Sequence, residues 1–193
     1  ESAIEFSMIP YDEDSLISQD SWYAEYYNNV NFTGIPIVTG GKNFNNKISN
    51  LEFEWGYNSP HQSIKNDNFT ARFIRDFKLP EGDYIIQSYA DDGIRVYIDD
   101  QLVLDRWYEF NSKFDGKKIT IRNRNNVSAS QKDIHRVRVE FLEIKGKATV
   151  KFFLDSISNT ASKDHWLGLF YPNMNLSGDA LTLGGTIASS KIF

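Results

Sequence analysis

The sequence predicts an all-β fold, an antiparallel β-sandwich or barrel, on three observations. Stretches of alternating apolar and polar residues recur between residues 69 and 154, each short enough for a strand. Turns rich in Gly, Pro and Asn separate them, and no apolar run keeps a helical period long enough to bury one helix face. Many short strands at this spacing pack as two layers or close into a barrel.

Residues 1–18 carry Pro10 and the acidic Asp12, Glu13 and Asp14 without sustained periodicity, and read as an extended amino-terminal lead-in. Residues 22–27 form an aromatic strand, and the Asn-rich run to Gly34, followed by Pro36, is a turn. Residues 40–50 read as a surface loop and 51–55 as a short strand ended by Gly56 and Pro60. From Phe69 the alternation strengthens, with Phe69, Ala71 and Phe73 on one face, until Pro80, Glu81 and Gly82 turn the chain into a strand over 83–90. Ile94, Val96 and Ile98 share one face of the next strand, and Asp99, Asp100 and Gln101 lead into its partner. Strands follow at 117–122, 134–142 and 148–154 around a polar loop at 123–131. In the second of these His135, Val137, Val139 and Phe141 point one way, and Arg136, Arg138 and Glu140 the other.

Composition removes several classes of function. A net charge of −5 supplies no basic face for a nucleic-acid backbone. The absence of cysteine excludes disulfides, thiolate nucleophiles and Cys-based metal sites. No apolar run reaches the length of a membrane span. His61, His135 and His165 lack ligand spacing, and no Gly-x-Ser-x-Gly, His-Glu-x-x-His or phosphate-binding loop occurs, so the chain reads as a non-enzyme. No signal-peptide pattern follows Glu1, so the chain reads as a mature or excised piece, and its Lys, Asn and Ile bias points to an AT-rich bacterial source. Asn31, Asn68, Asn126 and Asn175 begin Asn-x-Ser/Thr matches, read as turn chemistry or coincidence in an Asn-rich chain.

Asp91, Asp92 and Gly93 stand at the mouth of the strand carrying Ile94. Two carboxylates on a tight loop fit a hard cation, and a solvated Asp-Gly turn is the competing reading. Glycine is placed there as the residue that adopts positive φ most freely.

Residues 166–185 echo residues 22–41 at a constant offset of 144. Trp22, Tyr27, Asn29, Asn31, Gly34, Gly40 and Gly41 recur as Trp166, Tyr171, Asn173, Asn175, Gly178, Gly184 and Gly185. A period of that length is a domain. The expected organisation is therefore a module over 19–155, a small polar linker over 156–163, and the opening of a second, truncated module over 164–193, whose Phe170, Leu176 and Leu181 need cover on the first.

The ordered segments Trp22-x-x-x-Tyr26-Tyr27-Asn28-x-x-Asn31-Phe32-x-Gly34-x-Pro36, Phe69-x-Ala71-Arg72-Phe73, Gly82-x-Tyr84, Asp91-Asp92-Gly93-x-Arg95-Val96-x-Ile98-Asp99 and Leu102-Val103-x-Asp105-x-Trp107 resemble the PA-fourteen domain family, named for the amino-terminal region of anthrax protective antigen. The resemblance covers about 19–155, with a second start near 164. It implies a jelly-roll type of sandwich or barrel, found in secreted or cell-surface proteins including glycosidases, adhesins and binary toxins. In the yeast flocculins and epithelial adhesins of that family, the acidic pair matching Asp91 and Asp92 is joined by a cis peptide and holds a Ca²⁺ that ligates sugar hydroxyls.

The chain departs from that pattern in the loop between its last two strands, Glu143-Ile144-Lys145-Gly146-Lys147, which lacks the adhesins' Asn ligand and aromatic ring. Glu143 is the substitute oxygen ligand beside Asp91 and Asp92. Gly93, Arg106, Trp107, Tyr108 and Lys145 are the candidate ligand contacts, with Trp107 and Tyr108 as a sugar platform or, equally, barrel-end core aromatics. The expected function is a non-catalytic, Ca²⁺-assisted carbohydrate-binding or adhesion module of a multidomain protein, with a cell-surface or cell-wall glycan as partner. A spacer or protein-interaction module is the alternative. A toxin prodomain is disfavoured, because the linker holds only Lys163 as a basic residue and no acidic calcium loop follows.

Overall fold

A computed structural model describes residues 12–107 and 113–157, and the backbone of two later strands. Strands β1 (Tyr23–Tyr27), β2 (Ile37–Gly40), β3 (Leu51–Gly56), β4 (Phe69–Lys78), β5 (Gly82–Asp91), β6 (Gly93–Ile98), β7 (Gln101–Arg106), β8 (Lys113–Ile121), β9 (Ile134–Glu143) and β10 (Ala148–Ser156) build two antiparallel sheets. The larger runs β2-β1-β4-β9-β6-β7 and the smaller β3-β10-β5-β8. This is the expected β-sandwich, and its core follows the alternation. Phe69, Ala71, Phe73, Ile94, Val96, Val137, Val139 and Phe141 face inward with no exposure, against Ile86, Ala90 and Val150 of the smaller sheet. Each large apolar side chain buried there contributes about 1.5–3 kcal/mol. Trp55 stacks on Phe53 at 5.1 Å and meets Phe69 edge-on, filling the space between the layers.

Three elements differ from the sequence expectation. β2 lies between the predicted turn and the predicted loop, where no strand is expected; four residues between Pro36 and Gly41 leave too little periodicity to detect, and pairing with β1 orders them. β8 begins at Lys113, ahead of the predicted 117, because the backbone pairing of β5 extends over polar Asp115 and Gly116. The lead-in is partly packed: Ile17 is buried with Tyr23 and Ile74, and Asp76 donates its backbone N–H to the Ser18 carbonyl at 3.1 Å.

The polar side of β9 also departs from a solvated face. Glu140 is 6% exposed, lying 3.5 Å from Arg72, whose guanidinium reaches the buried Glu25; Glu25 in turn accepts hydrogen bonds from the Tyr23 and Tyr27 hydroxyls. His135 is buried and its Nδ1 lies 2.6 Å from Asp99 Oδ2, which ties β9 to the β6–β7 turn. Asn31 serves turn chemistry, as expected: Asn29 Oδ1 accepts its N–H at 3.2 Å and that of Thr33 at 3.0 Å.

Later in the chain, β11 (Gly168–Phe170) pairs with β12 (Leu181–Leu183), and β12 runs near β8. Gly168 faces Leu183 and Phe170 faces Leu181. Ala24 and Thr39, and Tyr26 and Ile37, are matched in the same way at positions 144 lower. The backbone register thus follows the sequence repeat.

Four connections pass from one sheet to the other at a single end of the sandwich: β3 to β4, β5 to β6, β7 to β8, and β9 to β10. That convergence brings distant segments together. Gly56 pairs with Ala148, Asp91 with Thr149, Phe69 with Glu143, and Gly93 with Leu142.

Candidate functional site

Asp91 and Asp92 form the β5–β6 crossing, and the peptide bond between them is cis. The Asp91 side chain faces outward from the smaller sheet, while Asp92 turns in and is 5% exposed. Asp92 Oδ2 accepts the backbone N–H of Ile144 at 2.8 Å and of Lys145 at 3.3 Å. Asp67 Oδ1 accepts that of Gly146 at 3.0 Å, and Asn68 donates to the Ile144 carbonyl at 3.2 Å. The β9–β10 turn is therefore tethered to both neighbouring connections. Gly146 sits at φ 108°, which a residue with a Cβ adopts only under strain.

Glu143 closes β9 directly beneath this turn. Its side chain is fully buried, and neither carboxylate oxygen has a hydrogen-bond partner. Burial first, and then the charges of Asp92, Asp91 and Asp67 in that order, raise its pKa from 4.5 to about 8. The Asp91 pKa is raised as well, by burial first and by Asp92 second, with Lys147 acting in the opposite direction. Four carboxylates from three connections thus share one corner, one of them buried without a partner. Buried carboxylates without partners are rare in native proteins and call for a cation or an unseen donor. Among the described residues, no three carboxylate or imidazole groups already close around a single point. The donor set is all oxygen, which is the chemistry of a hard divalent ion. Asp91, Asp92 and Glu143 suit Ca²⁺ in donor chemistry, and would have to draw together to hold it.

The other expected contacts divide. Lys145 is exposed on the turn. Gly93 is buried and does not adopt positive φ; it is small because a Cβ there would lie 2.5 Å from the Trp107 carbonyl oxygen. Arg106 is 7% exposed and ion-paired to Asp115. Trp107 is 5% exposed, with the Arg95 guanidinium 4.5 Å from its ring centroid and Phe32 at 5.7 Å, so its faces are covered and it belongs to the end of the core. Tyr108 lies outside the described residues. The ring that does stand open is Tyr57, 67% exposed just after β3, with Lys147 Nζ 5.7 Å from its centroid. Its only sequence signal is a large aromatic placed after Gly56, where the strand has ended.

Residues 18–164 match the family described as PA14 domain. The chain belongs to the PA14 domain family. This PA14 module is 31% identical over 86 residues to the anti-sigma-I factor RsgI3 of Acetivibrio thermocellus, spanning 44% of this chain and 12% of that relative. An anti-sigma factor domain-containing protein from Clostridium clariflavum superposes with a TM-score of 0.57 at 22% identity, covering 72% of this chain and 42% of that one. A PA14 sugar-binding domain from an RTX adhesin gives 0.50 at 15% identity over 72% of this chain and 91% of its own. The PA14 domain of the MpAFP antifreeze protein gives 0.51 at 12% identity over 95% and 100%. These structural likenesses show the fold. The PA14 module spans well under half of both anti-sigma relatives.

Proposed function

We propose that the PA14 module is a non-catalytic carbohydrate-binding module that holds a larger secreted or cell-surface protein on a glycan. The observation that carries this reading is Glu143, a fully buried carboxylate with no partner, set among Asp91, Asp92 and Asp67 at the end of the sandwich where the sheet connections meet. Asp91, Asp92 and Glu143 would hold Ca²⁺, which when bound supplies coordination positions for neighbouring sugar hydroxyls. The chain's own residues do the rest. Asp92 fixes the turn that carries Lys145 and Lys147 to the rim, where each ammonium donates hydrogen bonds to sugar oxygens. Tyr57 offers the apolar face of its ring to the C–H side of a sugar. An RTX-adhesin PA14 domain described as sugar-binding shares the fold and lends support. The matching register of β11–β12 supports a second copy beginning in the same polypeptide, and two linked copies strengthen binding through effective concentration.

A glycan array run with Ca²⁺ and with chelator tests the proposal on the full chain. The expected result is retention of a limited glycan class that chelator abolishes and Asp91→Ala/Asp92→Ala removes. Retention that ignores chelator contradicts the role of the metal, and a blank array contradicts glycan binding. One observation favours a second reading: Asp92 already serves as a turn-shaping acceptor for two backbone N–H groups. In that reading the module is a spacer, and neither Ca²⁺ nor sugar binds.

A further inference from the structure

The outer face of the smaller sheet continues downward from the acidic corner. Along β5, Ile86, Ser88 and Ala90 face the core, so Gln87, Tyr89 and Asp91 share the outward face. Tyr89 lies opposite Phe114 of β8 on one side and Lys151 of β10 on the other. The Tyr89 and Phe114 rings meet at 4.8 Å, and Phe114 is 51% exposed. One step further, Gln87 lies between Phe153 of β10 and Gly116 of β8, where no side chain fills the floor. Lys151 is ion-paired with Glu54, so a charged pair borders the rings.

The core lies on the other side of the sheet, so packing between the two sheets does not account for an open aromatic pair on this face. Rings bordered by amide and charged groups match a ligand with apolar C–H faces and hydroxyl edges. Two residues along a strand advance about 7 Å, comparable to the step from one ring to the next in a polysaccharide. We infer that Tyr89 and Phe114 form an extension subsite, so that a sugar at the Asp91 corner continues as a chain down the sheet over this pair. The ligand is then a chain of linked sugars rather than a single sugar. This rests on the carbohydrate-binding reading and adds a requirement for chain length.

The test uses the full chain with Ca²⁺. Affinity electrophoresis in gels containing soluble β-glucan, xylan, mannan, α-glucan or polygalacturonate selects a polysaccharide. Calorimetry then follows its oligosaccharides from one to about six units. Affinity is expected to rise at least about tenfold from the single sugar to the longer chains. Phe114→Ala is expected to remove about threefold to tenfold of that rise, the scale of one ring contact, while single-sugar affinity stays within about twofold. Tyr89→Ala repeats the measurement from the partner ring. Asp91→Ala/Asp92→Ala is expected to abolish binding at every length. Affinity independent of length, or unchanged in both ring variants, overturns the extension subsite and leaves the corner site standing. Loss of all saccharide binding by the native chain overturns both. Self-association in sedimentation that Phe114→Ala abolishes assigns the face to a second copy and overturns the subsite.

Discussion

Glu143→Gln replaces the buried, partnerless carboxyl by a neutral group of the same shape, and its consequence depends on pH in a defined direction. The native group has a pKa of about 8 when folded, against 4.5 ordinarily. The folded protein therefore keeps a proton that the unfolded chain releases across this interval. Stability is fully present below pH 4.5, falls as pH rises, and levels off above pH 8. Each unit of pKa difference is worth about 1.4 kcal/mol, so the loss is about 4 to 5 kcal/mol. For a chain of this size that corresponds to a fall of roughly 8 to 20 °C in Tm. Glutamine does not titrate. In chelator, the difference between variant and native Tm is expected to grow from near zero at pH 5 to its full value at pH 8, with other titrating groups cancelling. Ca²⁺ narrows the gap, because it binds the ionised carboxylate: at a hundredfold excess over Kd it adds about 2.7 kcal/mol to the native protein at pH 8, offsetting part of that loss, and adds much less to the variant. The assay is thermal unfolding by circular dichroism across pH, in chelator and in Ca²⁺. A native-minus-variant difference flat from pH 5 to pH 8 in chelator would refute the reasoning, since Glu143 would then be ionised and satisfied.

Five further substitutions at four positions separate shape from chemistry. Gly93→Ala places a methyl 2.5 Å from the Trp107 carbonyl oxygen and is expected to cost about 1–3 kcal/mol in denaturant unfolding through overpacking. Trp107→Ala is expected to cost about 3–5 kcal/mol, whereas Tyr57→Ala, at an exposed ring, stays within about 0.5 kcal/mol and instead weakens glycan binding in calorimetry. Asp92→Asn keeps an oxygen for the Ile144 and Lys145 N–H groups and is expected to retain stability within about 1 kcal/mol while Ca²⁺ affinity falls at least about tenfold; Asp92→Ala loses both.

Much of the sandwich is legible in the sequence because its central strands have one dry face. Ile94, Val96 and Ile98, like Val137, Val139 and Phe141, alternate with polar residues and fall inward as the period requires. Where that contrast fails, so does the reading. β2 is a four-residue edge strand, and the start of β8 has Phe114 alone as an apolar residue among Lys113, Asp115 and Gly116, so both take their order from a neighbour's backbone. The corner is legible only in part. Asp91 and Asp92 announce themselves as a pair, but the burial of Glu143 arises from pairing across β4 and β9 and from four connections meeting at one end. Trp107 and Tyr57 carry opposite lessons: composition marks both as aromatic, and only the packing of Arg95 and Phe32 closes one ring while leaving the other open.

Calorimetric titration of Ca²⁺ into the metal-free full chain, repeated at pH 7 in two buffers of different protonation enthalpy, reaches the central claim most directly. Saturable binding is expected, with a proton released to buffer as Glu143 ionises, with both signals lost in Glu143→Gln, and with affinity at least about tenfold weaker in Asp92→Asn. Absence of binding heat in the native chain, or binding that both variants retain, would contradict a metal site at this corner.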